Sequence, residues 1–271
     1  MMNLLQTEWL KIRKYKAFWW TTAIIALSYP GINYIFYQIY REVMAKGDTA
    51  KQMVKMLVGN PFTFPEVWHT VAFASSLFIC IPSIAVIMFI TNEYTYKTHR
   101  QNIIDGWSRN QFLTAKLIDV LLVALLTTFI YAVVALVIGF VNKEDATASV
   151  FSGSYYIGLF ALQSFSQLTI AFLLALLIRK AFIALGIFIF YFFPLEPIMA
   201  GLSREFLNDA GRFLPLEISD RLIPVPAFFG RLNPEGYKAS LAAVNYHILY
   251  TVLLTALVWG LCYRINSRRD L

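Results

Sequence analysis

The sequence predicts an all-α integral membrane protein with six transmembrane helices, and three observations carry that prediction. The 271-residue chain is 58% hydrophobic and only 14% charged, against roughly 25% charged in an average soluble domain. Its apolar residues gather into six runs, at about 18–40, 70–91, 117–141, 154–178, 181–202 and 244–263. Each is close to the ~20 residues a helix needs to cross a ~30 Å hydrocarbon core. Finally, the bases stand at the ends of those runs rather than in a continuous stripe. The net charge of +7 therefore reads as membrane topology, with the lipid bilayer as the partner and no nucleic acid.

Taken in order, residues 3–16 (NLLQTEWLKIRKYK) set Leu5, Trp9 and Ile12 on one helical face beside several bases. That pattern predicts a helix lying in the membrane interface, and the long charged stretch argues against a cleavable signal peptide. The first span is the most polar, with Asn33 and Gln38 near its end and a kink expected at Pro30. Spans two and three follow at 70–91 and 117–141. Spans four and five are separated only by Arg179-Lys180, which requires a tight helical hairpin. The segment 203–243 alternates apolar pieces with charges. It reads as short re-entrant helices against the outer leaflet, broken at Pro215, Pro224 and Pro226. There is no internal repeat, so one membrane domain spans 1–271. Cys80 and Cys262 each sit inside an apolar run and read as two buried thiols, not a disulfide.

Charge fixes the orientation. With the N-terminus inside, the inner segments hold 13 bases, among them Lys11, Lys97, Arg179, Arg264 and Arg268, against 5 acids. The short segments weigh most: Arg179-Lys180 and the tail RINSRRDL oppose the single Lys143 of the loop NKEDATAS. Both termini and the polar block 92–112 therefore face the cytoplasm.

Enzyme motifs are absent from the sequence. There is no G-x-x-x-x-G-K-[ST] phosphate loop, G-x-G-x-x-G, H-E-x-x-H or G-x-S-x-G. Catalytic residues, a metal site and a cofactor are therefore not expected in this chain. His69, His99 and His247 are far apart and lack partner carboxylates in sequence. Polar groups inside spans are expensive in lipid, so each needs a reason. Gln163, Ser166 and Gln167 share one face of span four, either as contacts between helices or as the lining of a water-filled path. Glu196 lies between Pro194 and Pro197 near the end of span five. It either rises to the outer interface or faces a cavity.

The block NEYTYKTHRQNIIDGWSRNQF, residues 92–112, interrupts the apolar chain. Tyr94, Tyr96 and Trp107 are interface aromatics. Ile103, Ile104 and Trp107 fall on one helical face, with Arg100, Gln101 and Asp105 elsewhere, while Gly106 and Ser108 mark a break or cap. The spacing predicts a short cytoplasmic helix on the membrane surface, suited to docking another protein or serving as a plain amphipathic linker. In order, Glu93, Thr98, Arg100, Gly106-Trp107-Ser108-Arg109 and Lys116 resemble the coupling segment of the permease subunits of type-2 ABC exporters. The stretch RFLPLEISDRLIP is similar to the Leu-Pro segment these permeases carry before their last span.

That resemblance implies six spans, an N-terminal interfacial helix and re-entrant helices before the last span. It implies a second permease, identical or related, and a separate ATPase in two copies that binds ATP and Mg and docks at Glu93, Thr98, Arg100, Asp105, Gly106, Trp107, Arg109 and Lys116. It also implies a bacterial plasma membrane setting. Cargo of an amphipathic kind (peptide, antibiotic or lipid-like) fits the many aromatics. An ion exporter, a non-transporting ABC partner in envelope assembly or signalling, and a membrane lipid enzyme remain the alternatives. The topology is tested by single cysteines: Lys143→Cys should react with an impermeant reagent from outside and Arg179→Cys only from inside. The reverse pattern overturns the orientation.

Overall fold

In lipid an unpaired backbone group costs several kcal/mol, so an apolar chain must satisfy its N–H and C=O groups within its own segments. The computed structural model describes residues 16–45, 60–104, 106–142, 149–226 and 233–268, and every regular element among them is helical. The predicted interfacial helix falls outside the described residues except for Lys16.

α1 (Lys16–Ala45) contains Pro30. α2 (Val67–Ser76) and α3 (Cys80–Thr95) are two arms of a pair bent by 47°, where the sequence predicts one continuous span. Pro82 explains the break. It has no N–H to donate to the carbonyl of Phe78, and that carbonyl instead accepts from Ile81 N at 3.1 Å. α4 (Thr98–Ile104) is a short helix, and α5 (Arg109–Val141) begins eight residues before the predicted third span. α6 (Tyr155–Ile178) and α7 (Ala181–Phe190) form the expected hairpin. Arg179 turns the chain between them with φ 56° while its N–H closes on Ala175 O.

A π turn, Tyr191–Leu195, absorbs Pro194 and leads into α8 (Glu196–Phe206). Such a bulge accommodates the proline without ending the span. A 3₁₀ turn (Ala210–Phe213) and α9 (Pro215–Asp220) follow. Pro215 starts α9 at its first turn instead of breaking it, because a helix has no use for an N–H there. α10 (Pro234–Arg268) completes the bundle.

Four of these helices are long and apolar enough to cross a membrane: α5, α6, the continuous 181–206 stretch and α10, or five spans with the bent α2–α3 pair. The predicted first span, α1, has 30 residues, about 45 Å at 1.5 Å per residue. Polar residues interrupt its apolar run, which keeps it outside that group. Its polar groups are spent inside the bundle: Asn33 donates to Tyr29 O and Ser75 Oγ, and Tyr37 donates to Asn142 Oδ1.

α6 is the central post, with 61% of its most apolar stretch buried, while that of 181–206 is only 17% buried and lies at the edge. Two cores flank α6. Toward the α4 end, Leu113, Leu168, Phe172, Phe188 and Trp259 pack together, and Trp259 Nε1 donates to Thr169 Oγ1 at 3.0 Å. Cys80 and Cys262 are free buried thiols of this core. Toward the α9 end, Trp68, Val71, Tyr131, Phe160 and Leu222 form the second core. There Tyr131 donates to Trp68 O, and Trp68 Nε1 to Val150 O.

The burial map separates two aromatic truncations. Trp68→Ala (1% exposed) should cost about 3–5 kcal/mol, and Phe129→Ala (65% exposed) should stay within about 0.5 kcal/mol. Thermal unfolding in detergent micelles checks both.

Candidate functional site

The polar block 92–112 becomes a turn, a short helix and a second turn. Lys97 takes φ 56° after α3, and Gly106 takes φ 97° after α4, a conformation glycine adopts without a Cβ clash. Ser108 then caps α5. Its Oγ accepts from Gln111 N, and the Gln111 side chain accepts from Ser108 N, a reciprocal capping box. The break and cap expected from Gly106 and Ser108 are therefore present.

Behind α4 lies a buried ion-pair cluster. Lys116, on the second turn of α5, has 0% exposure. Its Nζ lies 2.8 Å from Glu93 Oε1 and 3.3 Å from Asp119 Oδ2, and 4.5 Å from the Phe89 ring centre. Glu93 in turn holds α4. Its Oε2 accepts from Thr98 Oγ1 at 2.5 Å, and its backbone carbonyl meets His99 Nδ1 at 3.0 Å. His99 packs on Tyr94 with ring centres 4.6 Å apart, and the Arg179 guanidinium sits 4.7 Å over the other partner of that pair, Tyr94. Thus α3, α5 and the α6–α7 turn all converge on α4. A charge buried this deeply is tolerable only when paired, and the pairing fixes distances that exposed ion pairs leave loose.

The eight residues predicted to dock a partner divide by position. Glu93 and Lys116 are buried and hold α4 from behind. Thr98, Arg100 and Gly106 are exposed, and Trp107 and Arg109 are half-buried. Asp105 lies outside the described residues. The face α4 turns inward carries His99 and Asn102, and of the two isoleucines that the sequence sets on one face Ile103 is half-buried and Ile104 exposed. Ile104 is 77% exposed, because the anchor at Glu93 sets the helix rotation. Sequence reasoning missed Asp119 and His99 as members of this cluster. Asp119, three residues after Lys116 on one helix, was the available signal.

A second arrangement occupies the α9 end. Glu196 Oε1 accepts from Leu216 N and Glu217 N, both at 2.7 Å. Leu214, at the N-cap, offers no side-chain acceptor, so Glu196 supplies one from another helix. Gln163 and Gln167 donate to Asp220 Oδ1 at 2.9 and 2.6 Å, which makes the glutamine face of α6 a contact between elements. Ser166 is buried beside them. Desolvation, more than repulsion by Glu217, pushes the Asp220 carboxyl up to about 7 against the Gln163 amide. Asp220 is nonetheless an exposed residue, and the rise belongs to the carboxyl end that the two amides cover. Arg221 binds Asp209 through both terminal nitrogens and holds that carboxyl below its usual range. His69 Nε2 meets Pro224 O at 2.7 Å and His247 Nδ1 meets Ile218 O at 3.1 Å, so both histidines brace this segment. Among the described residues no group of His, Cys, Asp and Glu could hold a metal ion.

Between α1, α3 and α5 an apolar cavity of ≈ 280 Å³ opens near the α4 end, walled by Trp19, Phe89, Ile90, Val123 and Leu126 with Asp119 at one side.

Two substitutions test the holding roles. Lys116→Met strands two buried acids and should destabilise by about 3–5 kcal/mol. Glu196→Ala should cost about 1–2 kcal/mol by uncapping α9, and Glu196→Gln, which keeps an acceptor oxygen, should cost less. Thermal midpoints of the purified variants give the ranking.

The family model described as ABC-2 family transporter protein matches residues 4–195, well over half of the 271-residue chain. No curated protein matches the sequence. The matched region runs through the cluster, the α4 turn and the π turn before Glu196. With its long apolar helices, the chain belongs to the ABC-2 family of transporter proteins, as a multi-pass membrane permease of the kind that works with an ABC ATPase subunit.

Proposed function

We propose that this chain is the membrane half of an exporter, and that the α4 block receives mechanical work from a separate ATPase. The observation that carries the reading is the buried Lys116–Glu93–Asp119 cluster, which ties α4 to two membrane helices at once. On its outward side α4 presents Arg100, Gln101 and Ile104, with Lys97 just before it. Such a mixed basic and apolar surface suits a protein partner. A rigid α4 attached through Glu93 and Lys116 moves α3 and α5 when it is pushed. An exposed linker held only by solvent would absorb the same push.

In this reading two ATPase copies bind ATP and Mg, and two permeases, identical or related, enclose the path. α1 counts as the sixth span, and both termini lie in the cytoplasm of a bacterial plasma membrane. The ATPase must bind the two permease states with different affinity, since equal affinity shifts nothing. The cargo is amphipathic, which the largely apolar cavity with one carboxylate at its side supports.

Co-purification with the ATPase is the test. Arg100→Glu should lower recovery of the ATPase about tenfold, a loss of about 1.4 kcal/mol, while stability falls by no more than the about 1 kcal/mol that an exposed contact carries. Unchanged recovery would remove α4 from the docking surface.

A further inference from the structure

We infer that the last turns of α10, from Tyr263 to Ser267, are a positioning element for the α4–α5 turn, and that α10 carries motion from that turn to the α9 segment. The inference rests on the ATPase-coupling reading above.

Three contacts join α10 to the start of α5. Asn266 Nδ2 donates to Arg109 O at 3.0 Å. The hydroxyls of Thr114 and Tyr263 meet at 2.8 Å. Arg109 also donates to Ser267 O at 3.2 Å, a more exposed and weaker bond. Arg109 is the first residue of α5, directly after Gly106-Trp107-Ser108, and Thr114 lies little more than a turn later. One contact would leave a pivot; two a turn apart fix the angle between the helices.

Near its middle α10 grips the α9 segment. His247 Nδ1 meets Ile218 O at 3.1 Å, and Thr251 Oγ1 lies 3.4 Å from the same carbonyl. From His247 to Asn266 is about 29 Å of helix at 1.5 Å per residue, and no proline interrupts it. The α2–α3 pair is bent and 181–206 carries a π turn, so a displacement at one end of those helices need not reach the other. α10 has no such break. It touches the coupling turn at one end and the helix capped by Glu196 near its middle.

The reporter is Ser219→Cys, next to Ile218 and 0% exposed in the parent. The permease–ATPase complex is placed in lipid nanodiscs and reacted with a water-soluble maleimide, with and without ATP and Mg. Labelling is read by mass spectrometry of the peptide containing position 219, so that buried Cys80 and Cys262 do not contribute. ATP should raise the labelling rate about tenfold. Adding Tyr263→Phe and Asn266→Leu, which remove the hydroxyl and the amide donor and add no charge, should cut that rise to below about twofold while the ATPase still co-purifies. Tyr263→Phe alone should give an intermediate rise, which keeps the test decisive if the double variant is unstable. An undiminished rise in the variants overturns the role of α10. No rise in the reporter protein itself overturns the coupling reading, and the inference with it.

Discussion

A lysine with none of its surface exposed, among helices that cross a membrane, cannot stand there as a bare charge. Lys116 is the constraint on which the α4 end depends. It needs a carboxylate close by, and that need fixes Glu93 at the end of α3 against the second turn of α5. Once Glu93 is fixed, its second oxygen and its carbonyl hold Thr98 and His99. The rotation of α4 follows, and with it the outward position of Arg100 and Ile104. Replacing the pair by apolar residues of similar volume is often neutral for stability. The gain from keeping it is a defined geometry for a seven-residue helix that has too few turns to stand alone.

The two ends of the molecule use one solution. Each carries a short helix that cannot bury enough surface to fix itself, and each is held by a glutamate reaching out of a membrane helix. Glu93 grips the first residue of α4, and Glu196 grips the N-terminal amides of α9. The second contacts differ in kind. At the α4 end they are an ion pair and the tilted His99–Tyr94 ring pair under Arg179. At the α9 end they are two glutamine amides on Asp220 and two histidines on backbone carbonyls. α6 stands between the ends as the most buried of the four helices long enough to cross a membrane, and its small and amide side chains serve close contact rather than exposure to lipid.

Much of this was legible in the sequence, because the bilayer dictates segment length and polarity. The runs that became α5, α6 and α10 stand out through apolar length alone, and Arg179-Lys180 could only be a tight turn. The Gly106 break and the Ser108 cap were readable for a local reason, since both depend on residues within one turn. What could not be read depends on distant partners. Glu196 looked like an isolated acid between prolines, because its amide donors lie 20 and 21 residues away on a helix yet to be placed. Gln163 and Gln167 announced that they needed a partner without naming Asp220. The bend at Pro82 and the π turn at Pro194 were obscured by hydropathy, which does not register a lost N–H. The polarity of α1 blurs the first span for a similar reason: Asn33 and Tyr37 look costly until Ser75 and Asn142 are set beside them.

The central claim is that Glu93 and Lys116 act as one unit behind α4 in receiving the ATPase. A double-mutant cycle on ATPase affinity, with Glu93→Gln, Lys116→Gln and the pair, measures it most directly. The account predicts strong non-additivity, with an interaction energy of about 0.5–3 kcal/mol, because either single change already releases α4. Additive losses, or single variants that bind the ATPase as tightly as the parent, would contradict it.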